Sequence, residues 1–454
     1  MTRPIWINRT SILIALTLII GVALRLVWPG DIEYKGDERY VFEAVRNTLS
    51  GKAPWPSLGM SSGVGIQNPG LSIWVFIVLG SIFGADSPVE LARAVQWTNI
   101  FTMLGLLVFI FRCVPEEDRE SWLWGAALVF LNPFDVLFQR KIWAPSIFPL
   151  LTLAMFSGWW FRERALGAFI WGMIGALLGQ VQMGGGFPLA LAFVLGTLVA
   201  GRGRGVRWRY WFLGSFLGVL PMVNWLRYLL GVVQSGLPPS YHEFYQQLSS
   251  QTHPLSSWMD QIPGQFWWLW STGAAGIGLD YSLHREVWAF LAWPELNGAP
   301  TYLAGALSGI AALVLLLILL RTAREIFYRE KSRGVSLVQG LIGAKVMSNT
   351  TMILAISFFW FGLIFTVSPF FAHRHYLLVA FPFQGLWLAR LALWNSDQNR
   401  VRTGRILLGS MCLALFGISL FFLTYIHAHG GAPAGDFGVA YSSQGQRQGQ
   451  GQGR

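Results

Sequence analysis

Charge is scarce in this chain. Of 454 residues only 12% are Asp, Glu, Lys or Arg, where a soluble globular chain normally carries about 25%. That shortage excludes an ordinary soluble domain. With 54% hydrophobic residues and a mean hydropathy of +0.48, the composition is that of a polytopic membrane protein. Cysteine is scarcer still. Cys113 ends one apolar run and Cys412 lies inside another, which leaves no disulfide framework and no metal-binding spacing. Both read as small apolar residues. The formal charge is +11, but the basic residues do not gather on a polar face. They sit in short loops between apolar runs, which excludes nucleic acid as a partner and suits a topology signal.

A cleavage site is also missing. Arg3 and Arg9 precede the apolar run Ser11–Trp28, and no small-x-small motif follows it. The run reads as an uncleaved signal anchor with a cytoplasmic N-terminus. Further candidate spans are Ala94–Phe111, Ser121–Phe138, Ile147–Phe161, Ala165–Leu178, Phe187–Ala200 and Tyr210–Leu230. Leu303–Leu320, Thr351–Phe370, Tyr376–Leu391 and Ile406–Tyr425 complete the set. Leu71–Phe83 is apolar but short, the length of an interfacial or re-entrant segment. If it does not cross, Arg112, Arg119, Arg162, Arg164, the arginines of 202–209, those of 321–333 and those of 390–405 all share the side of Arg3 and Arg9. That is the positive-inside pattern. The expected fold is an all-α bundle of about eleven transmembrane helices with exoplasmic amphipathic helices.

Two large loops, 29–93 and 231–301, then face the exoplasmic side. The second is rich in aromatic residues, and Trp258, Trp267, Trp268, Trp270 and Trp288 suit a headgroup boundary. The organisation is a membrane domain over 1–430 followed by a Gly/Gln-rich tail over 431–454. The tail from about Ser443 has no apolar residues and is expected to be disordered.

Three polar clusters stand out against this background. The first is Gly36-Asp37-Glu38-Arg39-Tyr40. Asp37 to Leu49 has the spacing of an amphipathic helix, with Val41, Ala44, Val45 and Leu49 on one face and Gly51 as its stop. Asp37 at its start is either an N-cap or a general base. The two are compatible, because a cap keeps a carboxylate ionised and aimed. Glu38 is the second acidic candidate. The next cluster is Asn132-Pro133-Phe134-Asp135, followed by Gln139-Arg140-Lys141. Two cations at an outer helix end either grip a phosphate or reach for headgroups. The last is His373-Arg374-His375-Tyr376. Its His-x-His pair lacks a third spaced metal ligand.

Acids, cations and an outer amphipathic helix on one membrane face are what an enzyme needs to work on a lipid-linked phosphate. The cations stabilise the departing phosphate and a carboxylate takes the proton of the attacking hydroxyl. A transporter or lipid flippase is the competing class. Against it, few charges lie mid-membrane and no two-fold repeat is evident.

The order of motifs resembles a known family. Ala23-Leu24-Arg25-Leu26 ends the first span, then come the Gly36–Tyr40 cluster, Ala44 with Gly51, and Asn68-Pro69-Gly70-Leu71. Arg93, Asn132-Pro133 with Arg140, and Arg374-Tyr376-Leu377 with Pro382 continue the series. Over roughly residues 20–390 the chain is similar to the GT-C membrane glycosyltransferases, specifically the protein O-mannosyltransferase and aminoarabinose-transferase relatives. The resemblance implies a polyprenyl-phosphate sugar donor, inversion at the anomeric carbon, and an acceptor hydroxyl on a protein, lipid or glycan at the exoplasmic face of the cell membrane. Asp37, with Glu38, would be catalytic. Arg140, Lys141 and Arg374 would contact the donor phosphate, and Asp135, Tyr40, His373, His375 and Tyr376 the substrates. No cofactor is required. In relatives an acidic residue often follows the arginine of the second outer loop, whereas here the stretch is Ile142-Trp143-Ala144-Pro145-Ser146. The resemblance therefore does not extend to a divalent-metal role for that loop.

Overall fold

The computed structural model describes residues 9–61, 66–200, 202–235, 255–333, 348–368, 372–394 and 398–444. The helices are α1 Arg9–Leu26, α2 Gly36–Leu49, α3 Leu71–Phe83, α4 Pro88–Cys113, α5 Glu116–Leu131, α6 Pro133–Phe138, α7 Phe148–Trp160, α8 Ala165–Val181, α9 Met183–Val199, α10 Trp208–Val219 and α11 Val223–Ser235. They continue as α12 Leu255–Ala274, α13 Asp280–Leu283, α14 Val287–Ala292, α15 Leu303–Arg333, α16 Asn349–Leu354, α17 Phe361–Val367, α18 Phe383–Leu393 and α19 Gln398–His429. A wide turn of helix over Ala355–Trp360 joins α16 to α17. Three two-stranded antiparallel ribbons pair Leu58–Ser61 with Gln67–Pro69, Glu295–Leu296 with Ala299–Pro300, and Gly431–Ala432 with Gly438–Val439.

Five helices among the described residues are long and apolar enough to cross a bilayer: Pro88–Cys113, Trp208–Gln234, Leu303–Phe327, Asn349–Val367 and Asn399–His429. A sixth span results if Arg374–Ala380 and Phe383–Leu393, bent by 73°, cross as one. The chain is a multi-pass membrane protein, but these spans fall short of the eleven expected. Two expected spans are broken for a visible reason. Ser121–Phe138 is interrupted at Asn132-Pro133, where Pro133 starts α6 and the Asn132 side chain accepts the Phe134 N–H at 2.9 Å. Tyr376–Leu391 is interrupted before Pro382 in the same way. Several other apolar helices, including Ala165–Val181 and Met183–Val199, are shorter than a perpendicular crossing needs.

The main core is aromatic. Phe109, Trp122, Phe156 and Trp160 interlock with ring centroids about 5–6 Å apart, a range in which edge-to-face contacts add to area burial. A separate core holds α2. Val41, Phe42 and Val45 pack on Ile73, Phe76 and Ile77 of α3 and on Leu91 and Val95 of α4. Gly80 allows this approach, since a Cβ there would lie 2.9 Å from Val45 Cγ1. The buried stripe of α2 is Glu38, Val41, Phe42 and Val45, and Leu49 is exposed. The expected apolar face is thus rotated toward Glu38, because a charged partner waits for that carboxylate inside the protein.

The aromatic loop divides. Trp268 and Trp288 are largely exposed, as a boundary role requires, but Trp270 is fully buried, stacked on Phe266 and edge-on to Phe358. Residues 236–254, with His242 and His253, lie outside the described residues, as do the side chain of Trp258, residues 1–8 with Arg3, and the tail beyond Gln444. Of the tail, Ser443 N donates to the Ala440 carbonyl and the Gln444 amide to the Tyr34 carbonyl.

Candidate active site

Helix α2 starts at Gly36, and its N-cap position is Lys35. The Glu38 carboxylate accepts the Lys35 N–H at 3.2 Å, so Glu38 closes the first turn from inside. Asp37 is therefore not the N-cap. Its side chain stands on the outer side of the first turn, and among the described residues no hydrogen bond or ion pair holds it. A carboxylate in the first turn still faces the positive end of the helix dipole.

Asp37 borders a large cavity of about 1140 Å³. One part of the wall is polar: Asp37, Ser61, Asn68, Ser72, His373 and His375. It is supplied by α2, the first ribbon, α3 and the segment leading out of the 369–371 stretch. The other part is apolar and comes from the α8–α11 region and α17, with Trp171, Trp211, Leu191, Val194, Leu229 and Ile364. The cavity thus combines polar and apolar lining, with Val41, Met60 and Ile73 beside the first set and Ser215 and Gln182 beside the second, and Asp37 is its one acid among the described residues. It suits a ligand with a polar head and an apolar chain.

The imidazoles of His373 and His375 stack nearly parallel, with centroids 5.4 Å apart, and each meets the ring of Tyr376 edge-on at 5.1 and 4.5 Å. Tyr376 lines the same cavity. Burial lowers the His373 pKa below the ordinary imidazole value, so the ring is neutral at pH 7. Among the described residues no group of three or more His, Cys, Asp or Glu could hold a metal ion.

The expected cations are elsewhere. Arg140 is buried, and its guanidinium donates to the carbonyls of Leu24, Val27 and Trp28 at 2.6, 2.8 and 3.1 Å. It caps the end of α1, whose last carbonyls have no partner within the helix. Arg374 turns away from the cavity that its neighbours line. It donates to Thr272 Oγ1 at 3.2 Å, lies 4.8 Å over the Phe134 ring, and packs so closely on Gly278 that no Cβ would fit there. Arg374 and Asp135 border a separate, water-sized void. Neither arginine lines the large cavity, so the phosphate grip expected of them has a physical obstacle: their donors are turned into the protein.

Lys141 is buried as well. Its ammonium lies 2.6 Å from Glu33 and 3.3 Å from Glu38. Burial alone would lower its pKa, but the two facing carboxylates overcome this and raise it. The ammonium also sits 4.5 Å from the centroid of Trp143, which lines the cavity and meets His375 edge-on. Lys141 is thus one ring behind the cavity wall, and Glu38 is an ion-pair partner rather than an exposed acid. Tyr40 points outward, nearly half exposed, and does not border the cavity.

Several lining residues carried no clear signal in the sequence. Gln182 breaks the path between α8 and α9, borders the cavity, and has a buried Oε1 with no partner among the described residues. In the glycine run beside it, Gly184 and Gly185 let Tyr376 pack against the α9 backbone, and Gly186 makes room for the Leu178 carbonyl of α8. That run is a local cue a reader could use. The tryptophans of the apolar part, Trp171 and Trp211, look like any membrane tryptophan until the fold places them.

No protein family matches the chain and no curated protein matches it. Among solved structures it is similar to the crystal structure of the Archaeoglobus fulgidus oligosaccharyltransferase in the apo form, with 14% identity and a TM-score of 0.45. The likeness covers 91% of this chain and 56% of that one, so the chain spans little more than half of that protein's length. A likeness this distant carries nothing from that protein to this one.

Proposed function

We propose that this protein is a membrane glycosyltransferase that moves a sugar from a polyprenyl-phosphate donor to an acceptor hydroxyl at the exoplasmic face. The observation that carries the reading is Asp37: a carboxylate, unpaired among the described residues, at a large cavity that combines polar and apolar lining. The apolar part takes the start of the polyprenyl chain. The polar part takes the phosphate and sugar, against His373, Tyr376 and Gln182 rather than against Arg140 or Arg374.

In the transfer step the acceptor oxygen forms a bond to the anomeric carbon from the face opposite the phosphate. The bond from that carbon to the phosphate oxygen breaks, and its electron pair leaves with polyprenyl phosphate. The acceptor proton passes to Asp37. Attack from the opposite face inverts the anomeric centre, and an ionised carboxylate on a fixed helix start suits the base role.

The test is product analysis by mass spectrometry with the full chain in nanodiscs and a panel of polyprenyl-phosphate sugars. Transfer with release of polyprenyl phosphate is expected. Asp37→Asn should lower kcat by about 10²–10⁴-fold and leave the unfolding temperature nearly unchanged, since the side chain has no partner among the described residues to lose. Near-wild-type turnover in that variant removes Asp37 as the base. Movement of labelled lipid between leaflets in proteoliposomes, with no transfer to any acceptor, would make the protein a transporter.

A further inference from the structure

The chain does not end with its last long helix. After His429 it turns through Gly430 and Gly431, both in the left-handed φ range, into the ribbon Gly431–Ala432/Gly438–Val439. The segment then runs antiparallel to residues 30–34. Glu33 bridges to Ala440, Tyr441 N donates to Ile32 O at 3.1 Å, and Ser442 N donates to Gly30 O at 2.9 Å. Side chains reinforce the pairing. Ser442 Oγ donates to Asp31 at 2.7 Å, Gln444 donates to the Tyr34 carbonyl at 2.6 Å, and Tyr441 meets Tyr34 edge-on.

The same segment grips the second large loop. Ala434 N donates to Glu286 at 2.6 Å and Phe437 N to the Ser282 carbonyl at 3.0 Å, with Phe437 and Ala432 buried. A chain of alternating charge leads from it to the candidate site. Asp436 pairs with Lys35 at 2.9 Å, Lys35 with Glu33 at 2.9 Å, Glu33 with Lys141 and Lys141 with Glu38. Lys35 is the N-cap residue of α2, two positions before Asp37.

We propose that residues 430–444 are a positioning strap that holds the start of α2, and with it Asp37, at the cavity while pinning the second large loop against the first. Asp436 is a positioning residue: it touches no reacting atom and acts through Lys35. Without the strap, residues 30–34 lose their pairing partner and the first turn of α2 is free to fray, because helix ends open first when outside contacts are lost. The activity part of this inference rests on the reading of Asp37 as base. The structural part does not.

Hydrogen exchange and kinetics on the full protein in nanodiscs test it together. Three variants serve: a chain stopped after His429, Asp436→Asn, and the pair Gly30→Cys/Ser442→Cys. A Cβ built on Gly30 lies 3.1 Å from Ser442 Cβ, so a shift of roughly half an ångström apart brings the pair into the range a disulfide spans. In the truncated chain, exchange of the amides of residues 36–40 should rise about tenfold or more, with little change in α4. Asp436→Asn should give a smaller rise. Donor turnover should fall in kcat, with KM for the donor nearly constant, because apart from Asp37 and Val41 the cavity wall belongs to elements other than α2. Adding the cysteine pair to Asp436→Asn should restore wild-type exchange and kcat when oxidised, and lose both again on reduction.

Unchanged exchange at residues 36–40 in the truncated chain overturns the strap. So does a fall in KM-limited binding alone with kcat intact. If the truncated chain does not fold, the point variant and its redox-reversible rescue decide the same question, and absence of rescue counts against the strap. If the wild-type protein transfers no sugar, the glycosyltransferase reading falls, and the exchange measurement still settles the strap.

Discussion

Lys141 Nζ lies 2.6 Å from Glu33 Oε2 with both side chains closed to solvent, and Glu38 completes the cluster at 3.3 Å. A buried pair of this kind is weak evidence of net stabilisation, because desolvation of the charges offsets their attraction. Removing one partner is a different matter. Lys141→Met leaves Glu38 without its cation and Glu33 with Lys35 alone. It should cost about 3–5 kcal/mol of stability, read as a fall in the unfolding temperature in detergent. Adding Glu33→Gln should recover part of the loss, and the coupling follows from the double-mutant cycle.

Arg140 gives a prediction opposite to the one its sequence position invites. As a phosphate ligand, its loss would raise the donor KM at constant stability. As the cap of α1, its loss strands the carbonyls of Leu24, Val27 and Trp28 inside the protein. Arg140→Met should therefore lower stability by roughly 3 kcal/mol. The fraction that folds should bind donor within about twofold of wild type, a difference of under about 0.5 kcal/mol. Thermal unfolding and donor titration on the same sample separate the two.

The apolar part of the cavity can be filled without touching the polar part. Ala176 lines it on α8, as Trp211 does from α10 and Leu229 from α11. Ala176→Trp should raise the KM for a long-chain donor by about tenfold, the equivalent of about 1.4 kcal/mol. The KM for a short-chain analogue that keeps the same phosphate and sugar should stay nearly constant. Equal effects on both donors would place the lipid elsewhere.

His373 sets a pH dependence. Burial depresses its pKa in the folded protein below the unfolded value of 6.5. The unfolded chain therefore binds more protons once the pH drops below that value. The stability held by the neutral ring is fully present above about pH 6.5 and is lost as the pH falls from there toward the depressed folded value. Unfolding temperatures between pH 7.5 and 5 should decline for the wild type. His373→Gln should flatten that part of the slope, and an identical slope in both proteins would mean the imidazole does not titrate between the two states.

Some of this was legible in the residues. Helix Leu71–Phe83 has the ends its apolar run indicated, and the run from Gly36 to Leu49 is a helix. The breaks at Asn132-Pro133 and Phe381-Pro382 fall inside apolar runs expected to be continuous, although proline marks both places. The direction of each cation could not be read. Arg140 and Lys141 lie in an irregular turn after α6, where no helical or strand period assigns side chains to a face.

Composition and pattern alone determined that the chain lives in a bilayer, that its charges stay near helix ends, and that an acidic helix start follows the first apolar run. These follow from the cost of charge in hydrocarbon and from local periodicity, both of which act within a few residues. Only the folded protein decided that Glu38 is the acid neutralised while Asp37 is left unpaired among the described residues, because that outcome depends on Lys141, more than a hundred positions away. Only the fold, likewise, brought residues 430–444 against 30–34. Strand pairing and ion pairing between the two ends of a chain are set by where the intervening helices deliver them, and no local property of either end records it.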